Sequence, residues 1–269
     1  MSQAAASASA PVAGAKRSRT PDVASVSHAI AILNAIGSSR ESLGVNEIGR
    51  RVGLHKSTVS RLLATLERHG FVERLGSDGR FALGFELVAL AGPLIADLDV
   101  VKVGRPTLVQ LAAETGETVY MAVWNGRDTI MMEQAMGEHG MAQYVRPGTA
   151  MPAHASAAGK VFLVFVPGAL HAALSAPLPR YTQFTKLGSD LEEELNSIRQ
   201  RGYALNDQEY EIGSCGLAVP IRDVRGTVVG ALTVAVPKYR FDAARQQQLA
   251  AMTMSRAEEL GRRLGYVVR

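Results

Sequence analysis

The chain is 269 residues long, enough for one large domain or two smaller ones with cores of their own. Apolar residues make up 47% and charged residues 20%, an ordinary globular balance, and no apolar run approaches the roughly 18–20 residues of a membrane span. The net charge of +4 is unevenly placed: residues 1–85 hold 11 Lys and Arg against 6 Asp and Glu, whereas residues 86–269 hold 18 against 19. A basic first third beside a neutral remainder is the distribution of a nucleic-acid module joined to something else.

Residues 1–22 are rich in Ala and Ser, carry Lys16, Arg17 and Arg19, and read as a disordered tail. Their charges follow the small residues, the reverse of a secretory signal. The lone Cys215 has no partner for an internal disulfide, which fits a reducing cytoplasm. A helix is expected over residues 24–36, with Val26, Ala29, Ile30, Leu33 and Ile36 on one face and the Gly37-Ser38-Ser39 run ending it. A short second helix, capped by Asn46, turns Ile48 and Val52 inward, and Gly53 stands at a sharp turn. "HKSTVSRLLATLERHG" places Val59, Leu62, Leu63 and Leu66 in a buried stripe and Thr58, Arg61, Thr65 and Arg68 on the opposite face.

Ser57, Thr58 and Ser60 crowd the start of that third helix, whose N–H groups and hydroxyls suit phosphate while its outer side chains suit base edges. Ser57, Thr58, Arg61 and Thr65 are the base-facing candidates; Lys56, Arg74 and Arg80 are the phosphate candidates. Gly70 ends the helix, and "FVERL-GSDG-RFAL" reads as strand, turn and strand, with Phe71 and Phe81 packing inward. This order over residues 23–84 is that of a winged helix-turn-helix. Residues 85–98 read as a linker helix whose stripe, Phe85, Leu87, Val88, Leu90 and Ala91, is apolar enough to pack on a partner subunit; Pro93 and Pro106 belong in first turns or at kinks.

Residues 99–269 form the second domain. "ETVYMAVWNG" and "DTIMMEQAMG" are strands across the turn "NGRD"; helices cover 157–166 and 190–200; a loop precedes two strands joined by "RDVRGT"; a helix over 242–264 closes the chain. The order β-β-α-α-β-β-α implies an antiparallel sheet flanked by helices.

Within this domain "PAHASAAGKVF" gathers His154, Ser156 and Lys160. Read as a catalytic site, it has a Ser–Lys step of four where Ser/Lys hydrolases more often use S-x-x-K, no GxSxG elbow, and no acid near His154 in sequence. The six histidines are scattered and the cysteine is single, so neither a metal site nor a cofactor site is expected. Read as a binding site, Ser156 caps a helix, and the small Ala157, Ala158 and Gly159 let a carboxylate reach the electropositive helix start. Lys160 is either part of the pocket or a structural residue on a carbonyl or carboxylate; His154 is either a pocket residue or a hydrogen-bonded core histidine. Met131, Met132, Met136 and Met141 surround a loop and adapt to ligand shape.

"LGVNEIGRRVGLHKSTVSRLLATLERHGFVER" resembles the helix-turn-helix of the IclR-type bacterial transcriptional regulators. Gly148, Pro152, His154, Ser156, Ala157, Gly159 and Lys160 are similar to the signature of that family's GAF-like effector domain, and Asp207, Glu209, Gly213, Ala218 and Pro220 to a second family stretch. Cys215 falls one place before the family's usual cysteine, where Gly216 stands. The resemblance spans residues 23–265. It implies an α+β chain with an N-terminal winged helix-turn-helix, a linker helix and a C-terminal GAF-like α/β effector-binding domain with an antiparallel sheet.

The resemblance also implies a regulator and not an enzyme, binding a palindromic double-stranded DNA operator as a homodimer or homotetramer, without a cofactor, a metal or a membrane. Its effector, a small organic or aromatic acid, would be held among His154, Ser156, Ala157, Ala158, Gly159, Met136, Met141, Asp207, Glu209, Cys215, Gly216, Leu217 and Thr233. Ala235, where many relatives have a second serine, makes that site more apolar. The rival readings are a DNA-binding protein whose second domain only assembles, and a hydrolase acting through Ser156, Lys160 and His154.

Overall fold

Ile32, Ile36, Leu43, Ile48, Val59, Leu63, Val72 and Phe81 form one buried cluster, and the elements of the first third are those that deliver them to it. A computed structural model describes residues 22–39, 41–76, 79–96, 99–139 and 145–267, and the chain divides into two units, Met1–Leu90 and Ala91–Arg269. The first unit contains α1 (Ala24–Gly37), α2 (Val45–Val52), α3 (Lys56–Arg68), β1 (Val72–Leu75) and β2 (Arg80–Leu83), the two strands pairing antiparallel. Leu43 makes an isolated bridge to Phe81, which ties the segment before α2 to the hairpin. Helix α4 (Glu86–Ala96) runs across the division.

Two expectations for this unit are corrected. The buried face of α1 holds Ile32 and Ile36, while Val26 and Ile30 are exposed, so the inward stripe is rotated from the one the spacing suggested. Asn46 is not a cap: α2 starts at Val45, after an extended Gly44. Apolar spacing on a short helix fits neighbouring phases almost equally well, and only the packing partners choose one. The turn between α2 and α3 depends on two glycines. Gly53 has φ +68°, and a Cβ on Gly49 would lie 2.9 Å from the Leu54 carbonyl oxygen.

In the second unit, α5 (Asp99–Thr115), which holds Pro106 in its interior, leads into β3 (Thr118–Trp124) and β4 (Thr129–Ala135). There follow β5 (Ala150–Met151), α6 (Ala157–Phe165), α7 (Ala169–Ala173), α8 (Ser189–Arg201), β6 (Ala204–Asp207), β7 (Ser214–Arg222), β8 (Val228–Pro237), a single 3-10 turn and α9 (Ala243–Arg263). The six strands form one antiparallel sheet in the order β5-β4-β3-β8-β7-β6. Strands β5 and β6 and helix α7 were not foreseen; they are two, four and five residues long, too short for a periodicity to show.

The sheet separates two cores. One face packs Val119, Met121, Cys215, Leu217, Leu232 and Val234 with Leu108 and Leu111 of α5 and Leu249 and Leu260 of α9. The other packs Ala122, Ala218 and Ala231 with Val161 and Phe162 of α6 and Leu191, Leu195 and Ile198 of α8. The alternation along β3 and the central parts of β7 and β8 follows from the two-residue period of a strand, broken by a register shift between Ile221 and Arg222. Among the described residues no helix is long and apolar enough to cross a membrane.

The start of α9 is anchored to the α5–β3 turn by a buried carboxylate. Glu117 accepts two bonds from Arg240, at 3.0 and 2.7 Å, and Arg245 lies 3.8 Å away. Removing one member of such a pair leaves a buried charge unmatched. Glu117→Ala is expected to destabilise the second unit by about 3 kcal/mol, read from urea unfolding followed by the fluorescence of Trp124, the chain's single tryptophan.

Candidate functional site

Helix α3 begins with a cap that sequence reading did not find. His55 stands at the N-cap, and its Nδ1 accepts from the Ser57 backbone N–H at 3.3 Å and lies 2.8 Å from Ser57 Oγ. Val59 and Leu63 face the core, which leaves Lys56, Ser57, Ser60, Arg61, Ala64, Thr65 and Arg68 exposed and Thr58 half-buried. A groove of about 510 Å³ runs between α1 and α3, lined by Ser25, His28, Thr58, Arg61, Thr65 and Arg68 among others. The Thr65 hydroxyl donates back to the Arg61 carbonyl at 3.1 Å. Sequence reading missed Ala64, Ser25 and His28, which enter this surface only because α1 packs beside α3.

The two arginines of the hairpin differ in their commitments. Arg74 lies over the Phe81 ring at 5.0 Å, 3.6 Å from Glu67, with its side chain about half exposed. Arg80 donates through Nε to the Ser42 carbonyl at 2.8 Å and is 3.8 Å from Glu47, so it fastens the hairpin to the segment before α2. Of the two phosphate candidates on the hairpin, Arg74 keeps the freer guanidinium.

In the second unit, Ser156 is the N-cap of α6: its Oγ accepts from the Gly159 N–H at 3.1 Å and donates to the Pro152 carbonyl at 2.8 Å. The hydroxyl proton is thereby spent on a carbonyl, and no base touches it. Lys160 does not approach Ser156 but pairs with Glu209 at 2.5 Å, both residues being buried. Burial drives the Lys160 ammonium below its ordinary value, against the pull of Glu209 and Glu194. Glu194 also binds Lys186 and, at 2.5 Å, Arg201; burial raises its carboxyl, but these cations outweigh burial and hold it below the usual range. His154 is buried with Nε2 2.9 Å from the Pro179 carbonyl and its ring 5.7 Å from that of Tyr181. Both residues make structural contacts, and among the described residues no side-chain base is hydrogen-bonded to Ser156 Oγ.

The helix start itself offers only backbone and small side chains. Ala157 and Ala158 are buried, and their N–H groups donate to nothing among the described residues. Gly159 is required: a Cβ there would lie 2.2 Å from the Ala153 carbonyl oxygen. Gly216 faces the same place, since a Cβ on it would be 3.8 Å from both Ala157 Cβ and Thr233 Cγ2. Thr233 is fully buried, and its hydroxyl has no hydrogen-bond partner among the described residues.

The structure thus brings Ala157, Ala158, Gly159, Gly216 and Thr233 together. It places Cys215 and Leu217 on the opposite face of the sheet, in the core against α5 and α9, because alternate residues of a strand face opposite ways. Asp207 pairs with Cys215 in the register and binds Lys238 at 2.5 Å. Met136 is exposed beyond β4, and Met141 lies outside the described residues. Glu209 holds Lys160 through Oε1, and its Oε2 is buried without a hydrogen-bond partner among the described residues. Among the described residues no group of His, Cys, Asp and Glu is arranged to hold a metal.

Two family models match the chain: "IclR helix-turn-helix domain" over residues 25–76 and "Bacterial transcriptional regulator IclR C-terminal" over residues 93–262. The chain is 31% identical over 251 residues to HTH-type transcriptional regulator XynR of Escherichia coli (strain K12), across 91% of this chain and 99% of that protein. It is 32% identical over 263 residues to Transcriptional repressor IclR of the same strain, across 91% and 95%. Among solved structures it resembles an IclR homolog from Microbacterium hydrocarbonoxydans complexed with 4-hydroxybenzoate, at 25% identity and a TM-score of 0.73, over 89% of this chain and 98% of that one.

The placement of Cys215 has a chemical consequence. Burial, with the Asp207 carboxylate beside it, pushes its thiol up to about 12. At pH 8 only about one thiol in ten thousand is then thiolate, the reactive form. The folded protein is expected to leave a disulfide reagent such as Ellman's unreacted over minutes and to titrate one thiol once unfolded in guanidinium; rapid labelling of the folded chain would contradict this burial.

Proposed function

The chain belongs to the IclR family of bacterial transcriptional regulators, which are not enzymes, and from that premise we propose that it binds a palindromic operator as a homo-oligomer in the cytoplasm, with a small organic or aromatic acid as its effector. For DNA, the carrying observation is the outer face of α3. Lys56, Ser57, Ser60, Arg61 and Thr65 are exposed over a helix start capped by His55, on the unit that holds the chain's basic excess. Arg61 and Thr65, one turn apart, reach for base edges; Lys56 and Arg74 hold phosphates. A two-fold operator follows from a two-fold protein. Val26 and Ile30 of α1, with Phe85 and with Val88 and Leu90 of α4, are exposed apolar residues suited to cover by a second copy.

For the effector, support comes from buried donors without acceptors: the N–H groups of Ala157 and Ala158 and the hydroxyl of Thr233. A carboxylate satisfies all three at the positive end of a helix. A domain that only assembles has no use for them. The solved homolog holds a hydroxylated aromatic carboxylate, the class this chain is proposed to sense. The acid shifts the regulator between arrangements only as far as its affinity differs between them.

Gel shift or fluorescence anisotropy on a promoter fragment beside the protein's own gene is expected to give a sequence-selective complex that weakens steeply with salt. Arg61→Ala is expected to weaken the specific complex by about 1–3 kcal/mol and to relax selectivity at one position. Lys56→Ala is expected to weaken specific and non-specific complexes alike and to reduce the salt slope by about one. An Arg61→Ala protein that binds its operator like the wild type would remove α3 from the groove.

A further inference from the structure

The groove between α1 and α3 gathers donors from two helices, and only one of those helices has been given a part in binding DNA. Thr58, Arg61, Thr65 and Arg68 recur at steps of three and four along α3, so they share one side of it. Ser25 and His28, three positions apart in α1, line the same groove from the other helix. Arg61, Thr65, Arg68 and Ser25 are exposed and His28 is half-buried.

The charges in this groove are uncommitted. Elsewhere in the first unit arginines face carboxylates: Arg51 lies 2.9 Å from Glu47, Arg74 3.6 Å from Glu67 and Arg80 3.8 Å from Glu47. Among the described residues Arg61 and Arg68 make no ion pair, and no hydrogen bond occupies their guanidinium groups or the His28 ring. No Asp or Glu lines the groove, and the first turn of α1 holds no acid. Glu67, next to Arg68 in sequence, is engaged with Arg74 instead. Two guanidinium groups, an imidazole and hydroxyls without a carboxylate among them suit a phosphate.

The length of α3 separates the tasks of its two arginines. Its 13 residues span about 20 Å, whereas the major groove is about 12 Å wide. A helix that enters by its N-terminal end, where base edges are read, therefore carries its last turn out over the sugar–phosphate wall. Arg61 belongs to the entering half and Arg68 to the last turn, about 10 Å further along the axis. His28 and Ser25 of α1 line the groove that leads to that turn.

We propose that the groove between α1 and α3 seats the DNA backbone. Arg68 and His28 hold phosphates flanking the base pairs read by Arg61 and Thr65, and the Ser25 hydroxyl donates to the same strand. This rests on the reading of α3 as the recognition helix and adds to it a backbone contact supplied by α1. Such contacts fix the register and tilt of the recognition helix and carry no sequence information of their own. Arg61 and Arg68, alike in sequence context and exposure, thereby differ in what they do: one selects bases, the other sets affinity.

The test is fluorescence anisotropy of the full-length protein on the promoter fragment, titrated at several salt concentrations. Arg68→Gln and His28→Gln are each expected to weaken specific and non-specific complexes alike, about three- to tenfold. Arg68→Gln is also expected to lower the salt slope by about one. Unchanged melting curves without DNA certify the fold, and the exposed Arg68 keeps the test decisive where His28→Gln fails to fold. Operators carrying single neutral methylphosphonate links locate the contact. One link outside the bases selected by Arg61 is expected to weaken the wild type about as much as Arg68→Gln does, and to weaken Arg68→Gln no further. Wild-type affinity and slope in Arg68→Gln, or additive losses at every link, overturn the backbone contact while Arg61→Ala still reports α3 in the major groove. Wild-type affinity in a folded His28→Gln removes α1 from the interface. A changed subunit assembly in either variant, read by sedimentation, gives the groove to a second copy and overturns the proposal. Absence of any salt-sensitive complex with the wild type overturns the DNA reading itself, and this proposal with it.

Discussion

The ion pair between Lys160 and Glu209 is the contact on which the second unit's binding geometry depends. Both groups are buried, one on α6 and one on the loop after β6. Burial of two charges is not by itself stabilising, since desolvation offsets their attraction, but loss of either partner strands the other. The loop is shaped to present that carboxylate. Gln208 takes φ +61°, and the Glu209 N–H is held by Asn206 Oδ1 at 2.8 Å. The Glu209 carbonyl accepts from the Thr185 hydroxyl at 2.7 Å. A non-glycine residue in the left-handed region is tolerated only where its surroundings over-determine it, and here three elements do so. The result is a helix whose first turn is fixed from below by its own lysine, with its N–H groups left for something else.

The two units solve opposite problems. On α3 the polar groups are exposed, as suits a polyanion that brings its own charge. At the start of α6 they are neutral, small and buried, the kind of setting in which fixed dipoles rather than side-chain charges act.

Much of this was legible in the order of residues. The stripe of Val59, Leu62, Leu63 and Leu66 set which side of α3 faces out, and Ser156 before Ala157, Ala158 and Gly159 marked a capped, uncrowded helix start. What was misjudged has a common cause. Val26 and Ile30, assigned inward, lie outside because nothing packs over that phase of α1. Cys215 and Leu217 came near the pocket in sequence and lie across the sheet from it, since one step along a strand reverses the side chain.

By itself the sequence determined the basic first third, the outward face of α3 and the Ser156 cap of α6, consequences of charge placement and local patterns, while its resemblance to a known family gave the class of protein. The tertiary structure decided which partner each polar group received. It assigned His154 to the Pro179 carbonyl, Lys160 to Glu209 and Arg80 to Ser42, and among the described residues it left the Ala157 and Ala158 N–H groups, the Thr118 and Thr233 hydroxyls and the Gln134 amide nitrogen without acceptors. The reason is that a hydrogen bond needs atoms within about 3 Å, and residues 25 to 49 positions apart reach that distance only when a sheet and its helices have closed around them.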